Sequence, residues 1–385
     1  MKNFEFHNPT KIVFGADTIA QLSKLVPDSA RVLILYGGAS AEKTGTLAEV
    51  RRALDERVSR EFGGIEPNPS YETLMRAVEQ VRRDEIDFLL AVGGGSVIDG
   101  TKFVAAAALY DGEPWEIAQS GGAKVRRALP FGAVLTLPAT GSEMNNGAVV
   151  THKASHTKLP FRSPLLFPQF SVLDPSKTFT LPTRQVANGL VDAFVHTVEQ
   201  YLTYPVQALA QDRFAEGLLQ TLVEIAPQAL AAPDDYATRA NLMWTATLAL
   251  NGLIGAGVPQ DWATHMIGHE LTALYDIDHA RTLALVLPSL LDVQRATKRE
   301  KLLQYGERVW GIRDGGDEQR IDAAIAHTRA FFEGLGIPTR LSAYQLGQEA
   351  VEAVLAQLAA HGMTSLGEHR DIDLARSRRI LEAAL

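Results

Sequence analysis

Three apolar runs in the first half of the chain each stop at glycine or proline and give way to a helical pattern. Arg31-Val32-Leu33-Ile34-Leu35-Tyr36 ends at Gly37-Gly38, Phe88-Leu89-Leu90-Ala91-Val92 at Gly93-Gly94-Gly95, and Ala133-Val134-Leu135-Thr136-Leu137 at Pro138. Strands without polar alternation are buried on both faces, and such strands separated by helices form a parallel sheet wound by crossover helices. The stretch Glu72 to Arg83 fits that frame, with Leu74, Met75, Val78 and Val81 at helical spacing and Arg76, Glu79, Gln80 and Arg82 on the other face. Asn3 to Phe14 carries Phe4, Phe6, Ile12 and Val13 around Asn8-Pro9 and reads as a β-hairpin extending from the sheet, an edge on which a second subunit can pair.

After Asp174-Pro175 the β-branched clusters thin out, and Ala-, Leu- and Glu-rich segments of helical periodicity run to the C-terminus. With 385 residues to divide, the expected class is α/β: a parallel-sheet domain suited to a nucleotide over residues 1–178, then an all-helical domain over 179–385. Pro182, Pro205, Pro227, Pro233, Pro259, Pro288 and Pro338 are expected at helix starts or boundaries, because proline lacks the N–H that a helix interior uses.

Composition removes several classes of function. There is no cysteine, so disulfides, thiolate nucleophiles and sulfur-ligated metal sites are excluded, and any metal must use His, Asp or Glu. A formal net charge of −8 without a block of like charge disfavours nucleic acid and anionic membrane as partners. The longest apolar run, Phe103 to Tyr110, is too short to span a bilayer, and Met1 to His7 shows no signal-peptide pattern. The expected location is the cytoplasm.

Three loops carry candidate ligand chemistry. Gly93-Gly94-Gly95-Ser96 stands between a buried strand and the helical run Val97 to Leu109, where backbone N–H groups and the helix dipole converge on a phosphate without a basic side chain. A tight turn would use the same glycines, but the place in an α/β half favours phosphate. Thr136-Leu137-Pro138-Ala139-Thr140-Gly141-Ser142-Glu143 gathers hydroxyls at Thr136, Thr140 and Ser142 after a strand; a ligand loop and a plainly capped helix start read equally well there. Tyr36-Gly37-Gly38-Ala39-Ser40 lacks the acid that an NAD site places against the ribose, and Lys43 is near, so NADPH is preferred to NADH.

The histidines and their acidic neighbours form a candidate metal site without cysteine, which a set of satisfied core or surface histidines would match equally well. Asp192 and His196 are four apart, as are His265 and His269, so each pair shares a helix face. His279 follows in Asp276-Ile277-Asp278-His279. Spacing alone does not choose which two of His265, His269 and His279 complete a site, and the zincin HExxH pattern is absent. A nitrogen and oxygen donor set suits Zn²⁺ or Fe²⁺.

Together these motifs resemble the iron-containing, or group III, alcohol dehydrogenase family, and within it the bacterial NADPH-dependent aldehyde reductase and butanol dehydrogenase branch. The resemblance runs end to end, through Asn8 to Gly15, Glu66-Pro67-Asn68-Pro69, Gly93 to Asp99, Leu137 to Glu143, Asp192 to His196, and His265 to His279. It implies a dehydroquinate synthase-like architecture, a Rossmann-like N-terminal domain and a helical C-terminal one with the active site in the cleft, one divalent ion on Asp192, His196, His265 and His279, and His269 beside it as a proton-handling residue. It also implies cofactor contacts at Gly37, Gly38, Ser40, Gly94, Gly95, Ser96, Asp99, Thr136, Thr140, Ser142 and Lys158. The expected reaction is reversible hydride transfer from NADPH to a small aldehyde in a homodimer. Glycerol dehydrogenase-like polyol oxidation and a dehydroquinate synthase-like NAD-dependent lyase are the alternatives, and a scaffold that lost its chemistry is a third.

Overall fold

The computed structural model describes residues 1–155 and 157–385, which cluster into two compact units. One comprises His7–Pro182 with Ala232–Thr247, and the other Met1–Phe6, Thr183–Ala231 and Leu248–Leu385.

The first unit is built on a six-stranded parallel sheet of β1 (Lys11–Phe14), β2 (Val32–Tyr36), β3 (Ser59–Phe62), β4 (Phe88–Gly94), β5 (Phe131–Leu137) and β8 (Phe170–Leu173), ordered β1-β8-β5-β4-β2-β3. Strands β6 (Gly147–His152) and β7 (Thr157–Arg162) form a separate antiparallel pair. Alternation along β2 explains why its whole run is apolar. Leu33 and Leu35 join a core with Leu74, Val78 and Val81 of helix Tyr71–Arg83 and Ile98, Phe103 and Val104 of helix Gly95–Ala107. Val32 and Ile34 face the opposite core, with Ile19, Leu22, Leu47 and Val50.

The N-terminal hairpin expected from sequence is not formed. Residues 1–10 carry no strand, and β1 lies parallel to β8, with Lys11 opposite Phe170 and Phe14 opposite Leu173. Its hydrogen-bonding partner is about 160 residues away in sequence, and local pattern carries no trace of such a pairing. Phe4 and Phe6 stay exposed, so they supply no buried strand face, and Lys2 N donates to Gly257 O at 2.8 Å.

The second unit is helical. Helix Thr183–Tyr201 is buried continuously from Val186 to Tyr201, as befits a central helix surrounded by others. Packed in the same unit are Leu209–Ala231, Ala263–Tyr275, His279–Val293, Arg299–Trp310, Asp317–Gly334, Gln348–Ala360 and Leu374–Glu382. Two prolines depart from expectation, Pro227 inside Leu209–Ala231 and Pro288 inside His279–Val293. An interior proline costs about 3 kcal/mol. At Pro288 burial of the flanking Leu283, Leu285, Leu287, Leu290 and Leu291 opposes that cost, each leucine contributing about 1.5–3 kcal/mol. Among the described residues, no helix is long and apolar enough to cross a membrane.

Candidate active site

In an open parallel sheet, ligands bind beyond the carboxyl ends of strands where the winding direction reverses. Here β2 leads outward to β3 on one side and β4 leads to β5 on the other, so the reversal falls between neighbours β2 and β4. Gly37, Gly38 and Ser40 follow β2, while Gly94 ends β4 and Gly95 and Ser96 open helix Gly95–Ala107. The first N–H groups of that helix have no intrahelical acceptor, which makes them donors for an anion. A Cβ on Gly95 would fall onto Thr140, and one on Gly38 would meet nothing within 4 Å. Thr136 is the penultimate residue of β5, and Gly141, with φ +62°, bends the chain so that Ser142 N donates to Thr140 Oγ1 at 3.2 Å.

Below these loops lies a buried charged cluster. Lys102 Nζ donates to Ser142 Oγ at 2.8 Å, Asn145 Oδ1 at 2.9 Å and Gly147 O at 2.7 Å. Ser142 Oγ donates to Asp99 Oδ1 at 2.6 Å, and Val149 N donates to Asp99 Oδ2 at 2.8 Å. Burial pushes the Lys102 ammonium down to about 8, while Asp99 and Glu143 oppose the fall. Burial likewise raises the carboxyls of Asp99 and Glu143. Asp99 and Ser142, expected as cofactor contacts, therefore engage these atoms with the protein itself, tying the first glycine loop to the second. Lys102 was missed from sequence, although a lysine directly preceding the apolar run Phe103 to Tyr110 was its signal. Lys158, in β7, is buried and donates to Asn68 Oδ1 at 2.9 Å.

The metal candidates meet in the helical unit. Helix Thr183–Tyr201 presents Asp192 and His196, helix Ala263–Tyr275 presents His265 and His269, and His279 begins helix His279–Val293. Asp192, His265 and His279 offer donor atoms that all lie within 4.8 Å of one another. Asp192 Oδ1 stands 3.8 Å from His196 Nε2 and 3.7 Å from His279 Nε2. His196 stacks on His265 at 4.7 Å between centroids. The His269 ring centroid lies 5.1 Å from that of His279 and 6.0 Å from that of His265.

Asp192 Oδ1 is buried and accepts no hydrogen bond, a costly state for a carboxylate unless a cation meets it. Its separations from the imidazoles exceed a hydrogen bond and approach the roughly 3.4 Å between two donors on one tetrahedral ion with bonds of about 2.1 Å. The residues therefore fit a divalent cation held by nitrogen and oxygen.

Neighbouring groups hold these ligands in place. Arg184 Nε and Asn188 Nδ2 each donate to Asp278 Oδ2 at 2.8 Å, anchoring the turn into His279. Burial alone would raise the Asp278 carboxyl, but these bonds keep it below the ordinary carboxylate range. Glu199 Oε1 accepts from Thr264 N at 2.7 Å and His265 N at 3.3 Å, and Oε2 pairs with His265 Nδ1. Burial, then the nearby Asp261 charge, raises the Glu199 carboxyl, while the His265 N–H, the neighbouring His196 and the Thr264 N–H act to lower it. Glu199 also escaped the sequence reading; its position seven residues after Asp192 and three after His196 puts it on the same helix face. Trp262, with φ +63°, sets its ring edge-on to His265 at 5.3 Å.

Comparison with known proteins adds relatives to this geometry. A family model described as iron-containing alcohol dehydrogenase matches residues 9–175, and one for the C-terminal part of the Fe-containing alcohol dehydrogenase family matches 186–385. The chain is 62% identical over 386 residues to the NADPH-dependent aldehyde reductase YqhD of Escherichia coli K12, covering 100% of both chains. It is 39% identical over 390 residues to the probable NADH-dependent butanol dehydrogenase 1 of Bacillus subtilis 168, again covering 100% of both. The crystal structure of E. coli K-12 YqhD superposes with a TM-score of 0.99 at 61% identity, covering 100% of this chain and 99% of that one. NADH-dependent butanol dehydrogenase A of Thermotoga maritima gives a TM-score of 0.95 at 36% identity, with 100% and 99% covered.

Proposed function

The chain belongs to the iron-containing alcohol dehydrogenase family of NAD(P)-dependent oxidoreductases, and from that premise we propose that it reduces small aldehydes to alcohols with NADPH, reversibly. The observation that carries this reading is the buried Asp192 oxygen without a hydrogen-bond donor, faced by Nε2 of His196 and His279. When bound, a divalent ion would polarise the substrate carbonyl as a Lewis acid, and the nicotinamide would supply the hydride. Asp192, His196, His265 and His279 would hold that ion, Zn²⁺ or Fe²⁺. One carboxylate and three neutral imidazoles contribute a single negative charge, so the site stays net positive, as a developing alkoxide needs. His269, beside His279 and His265, would pass the proton that completes the alcohol.

The α/β unit would bind the dinucleotide and the helical unit the metal. Gly94, Gly95 and Ser96 would receive its pyrophosphate on backbone N–H groups, with Thr136, Thr140 and Lys158 as further contacts. Asp99 and Ser142 would act by bracing these loops. Gly37, Gly38 and Ser40 leave room for a 2′-phosphate where an acid would repel it, and the open space around Gly38 supports NADPH over NADH. A cytoplasmic homodimer completes the proposal.

The test is NADPH oxidation with butyraldehyde, run beside NADH, on the protein as isolated, after exhaustive chelation, and after return of Zn²⁺ or Fe²⁺. Activity with NADPH that vanishes on chelation and returns with one ion is the expected result. Full activity in the metal-free protein would remove the metal from the mechanism.

A further inference from the structure

Helix Ala263–Tyr275 begins in an unusual way. Its N-cap is Trp262, whose side chain makes no capping hydrogen bond, and indole has no oxygen with which to accept one. Two acidic side chains supply the cap instead: Asp261 Oδ1 accepts from Ala263 N at 3.0 Å, and Glu199, on helix Thr183–Tyr201, accepts through Oε1 from Thr264 N and His265 N. The second oxygen of the same carboxyl meets His265 Nδ1. Glu199 is fixed in turn, because its carbonyl accepts from Asp261 N at 2.9 Å.

We infer that Glu199 is a positioning residue that holds His265 with Nδ1 as hydrogen-bond donor and Nε2 as the cation-binding atom, and so sets the affinity of the site for its metal. The inference rests on the metal-binding reading proposed above. A neutral imidazole carries one proton, on the nitrogen whose neighbour accepts it. When Nε2 gives its lone pair to a cation, that proton sits on Nδ1 and needs an acceptor there, which Glu199 Oε2 provides. Carboxylates placed behind metal-binding histidines in this way typically change affinity by about 10–100-fold.

Glu199→Gln separates this role from the capping role. Glutamine keeps one oxygen for the Thr264 and His265 N–H groups but replaces the other with an amide NH₂, a donor. A donor opposite Nδ1 favours the tautomer protonated on Nε2, the nitrogen that a cation needs bare. Zinc binding to the full-length apo-protein is measured by competition with a chromophoric chelator, alongside thermal melting of the apo forms. The wild type is expected to take one equivalent, and Glu199→Gln to bind about 10–100-fold more weakly with a nearly unchanged apo melting temperature. In a His265→Ala background, Glu199→Gln should have no further effect on affinity.

Wild-type protein that takes up no zinc or iron would overturn the metal reading itself. One equivalent on the wild type with Glu199→Gln within twofold of it would overturn only the role of Glu199. If the variant fails to fold, ¹⁵N-histidine NMR of the zinc-loaded wild type decides: a His265 proton on Nδ1, shifted downfield by a carboxylate, supports the assignment, and its absence refutes it.

Discussion

Thr140 occupies the space that a side chain on Gly95 would need: an added Cβ would lie closer than 3.0 Å to Oγ1, Cγ2 and Cβ of the threonine. Glycine is required there for space, since Gly95 is absent from the positive-φ positions. Gly95→Ala is expected to push the two loops apart, lower stability by about 1–3 kcal/mol, and raise the KM for NADPH at least tenfold. Adding Thr140→Ala should recover part of the lost stability, because the collision is shared by the pair. Urea unfolding and cofactor titration of the single and double variants check this, and an unperturbed Gly95→Ala would show that the loops are not in contact.

Gly38 is the converse case, with open space around a Cβ and an ordinary backbone. Gly38→Asp should fold normally and place a carboxylate where it repels a 2′-phosphate and accepts from ribose hydroxyls. The expected outcome is at least a tenfold fall in the NADPH-to-NADH ratio of kcat/KM. An unchanged ratio would mean that cofactor choice is made elsewhere.

What the sequence revealed was mostly local. The buried strands ending in glycine, the helix Tyr71–Arg83 and the Asp192–His196 pair follow from spacings of two, three or four residues, because a strand or helix face is set by its own periodicity. What it concealed was non-local: the parallel pairing of Lys11–Phe14 with Phe170–Leu173, and the grouping of Ala232–Thr247 with the sheet unit. The latter is built by contacts such as the 2.5 Å hydrogen bond from Thr247 Oγ1 to Glu143 Oε1. The choice among three histidines was hidden for the same reason, since which rings meet Asp192 depends on how three helices pack. Lys102 and Glu199 left fainter signals, polar groups on buried faces, whose meaning depended on partners 40 and 66 residues away.

Metal binding should appear as stability as well as activity. A ligand bound only by the folded state stabilises it by about 2.7 kcal/mol at a free concentration of 100 Kd. Zinc added to chelated protein should therefore raise the melting temperature, and His279→Ala should abolish most of that rise. His279 suits the test because its side chain is 23% exposed, against 4% for Asp192, so truncating it leaves the core intact. Equal zinc shifts in the two proteins would exclude His279 as a ligand.

Lys102 gives the protein a stability that rises with alkalinity. Burial holds its folded pKa near 8, below the ordinary 10.5. Between those values the unfolded chain carries a proton here that the folded chain has released, so stability increases with pH by up to about 1.4 kcal/mol per unit. Below about 8 the lysine is charged in both states and the cost of burying that charge is present in full, opposed by Asp99 and three hydrogen bonds. Lys102→Met removes the titration but leaves Asp99 buried without its cation and the acceptors on Ser142, Asn145 and Gly147 without their donor. At pH 7 the variant should lose about 3–5 kcal/mol. Across the alkaline window, urea unfolding of wild type and variant should diverge further, because only the wild type gains stability from releasing this proton. Parallel curves would place the titrating group elsewhere and leave Lys102 charged throughout.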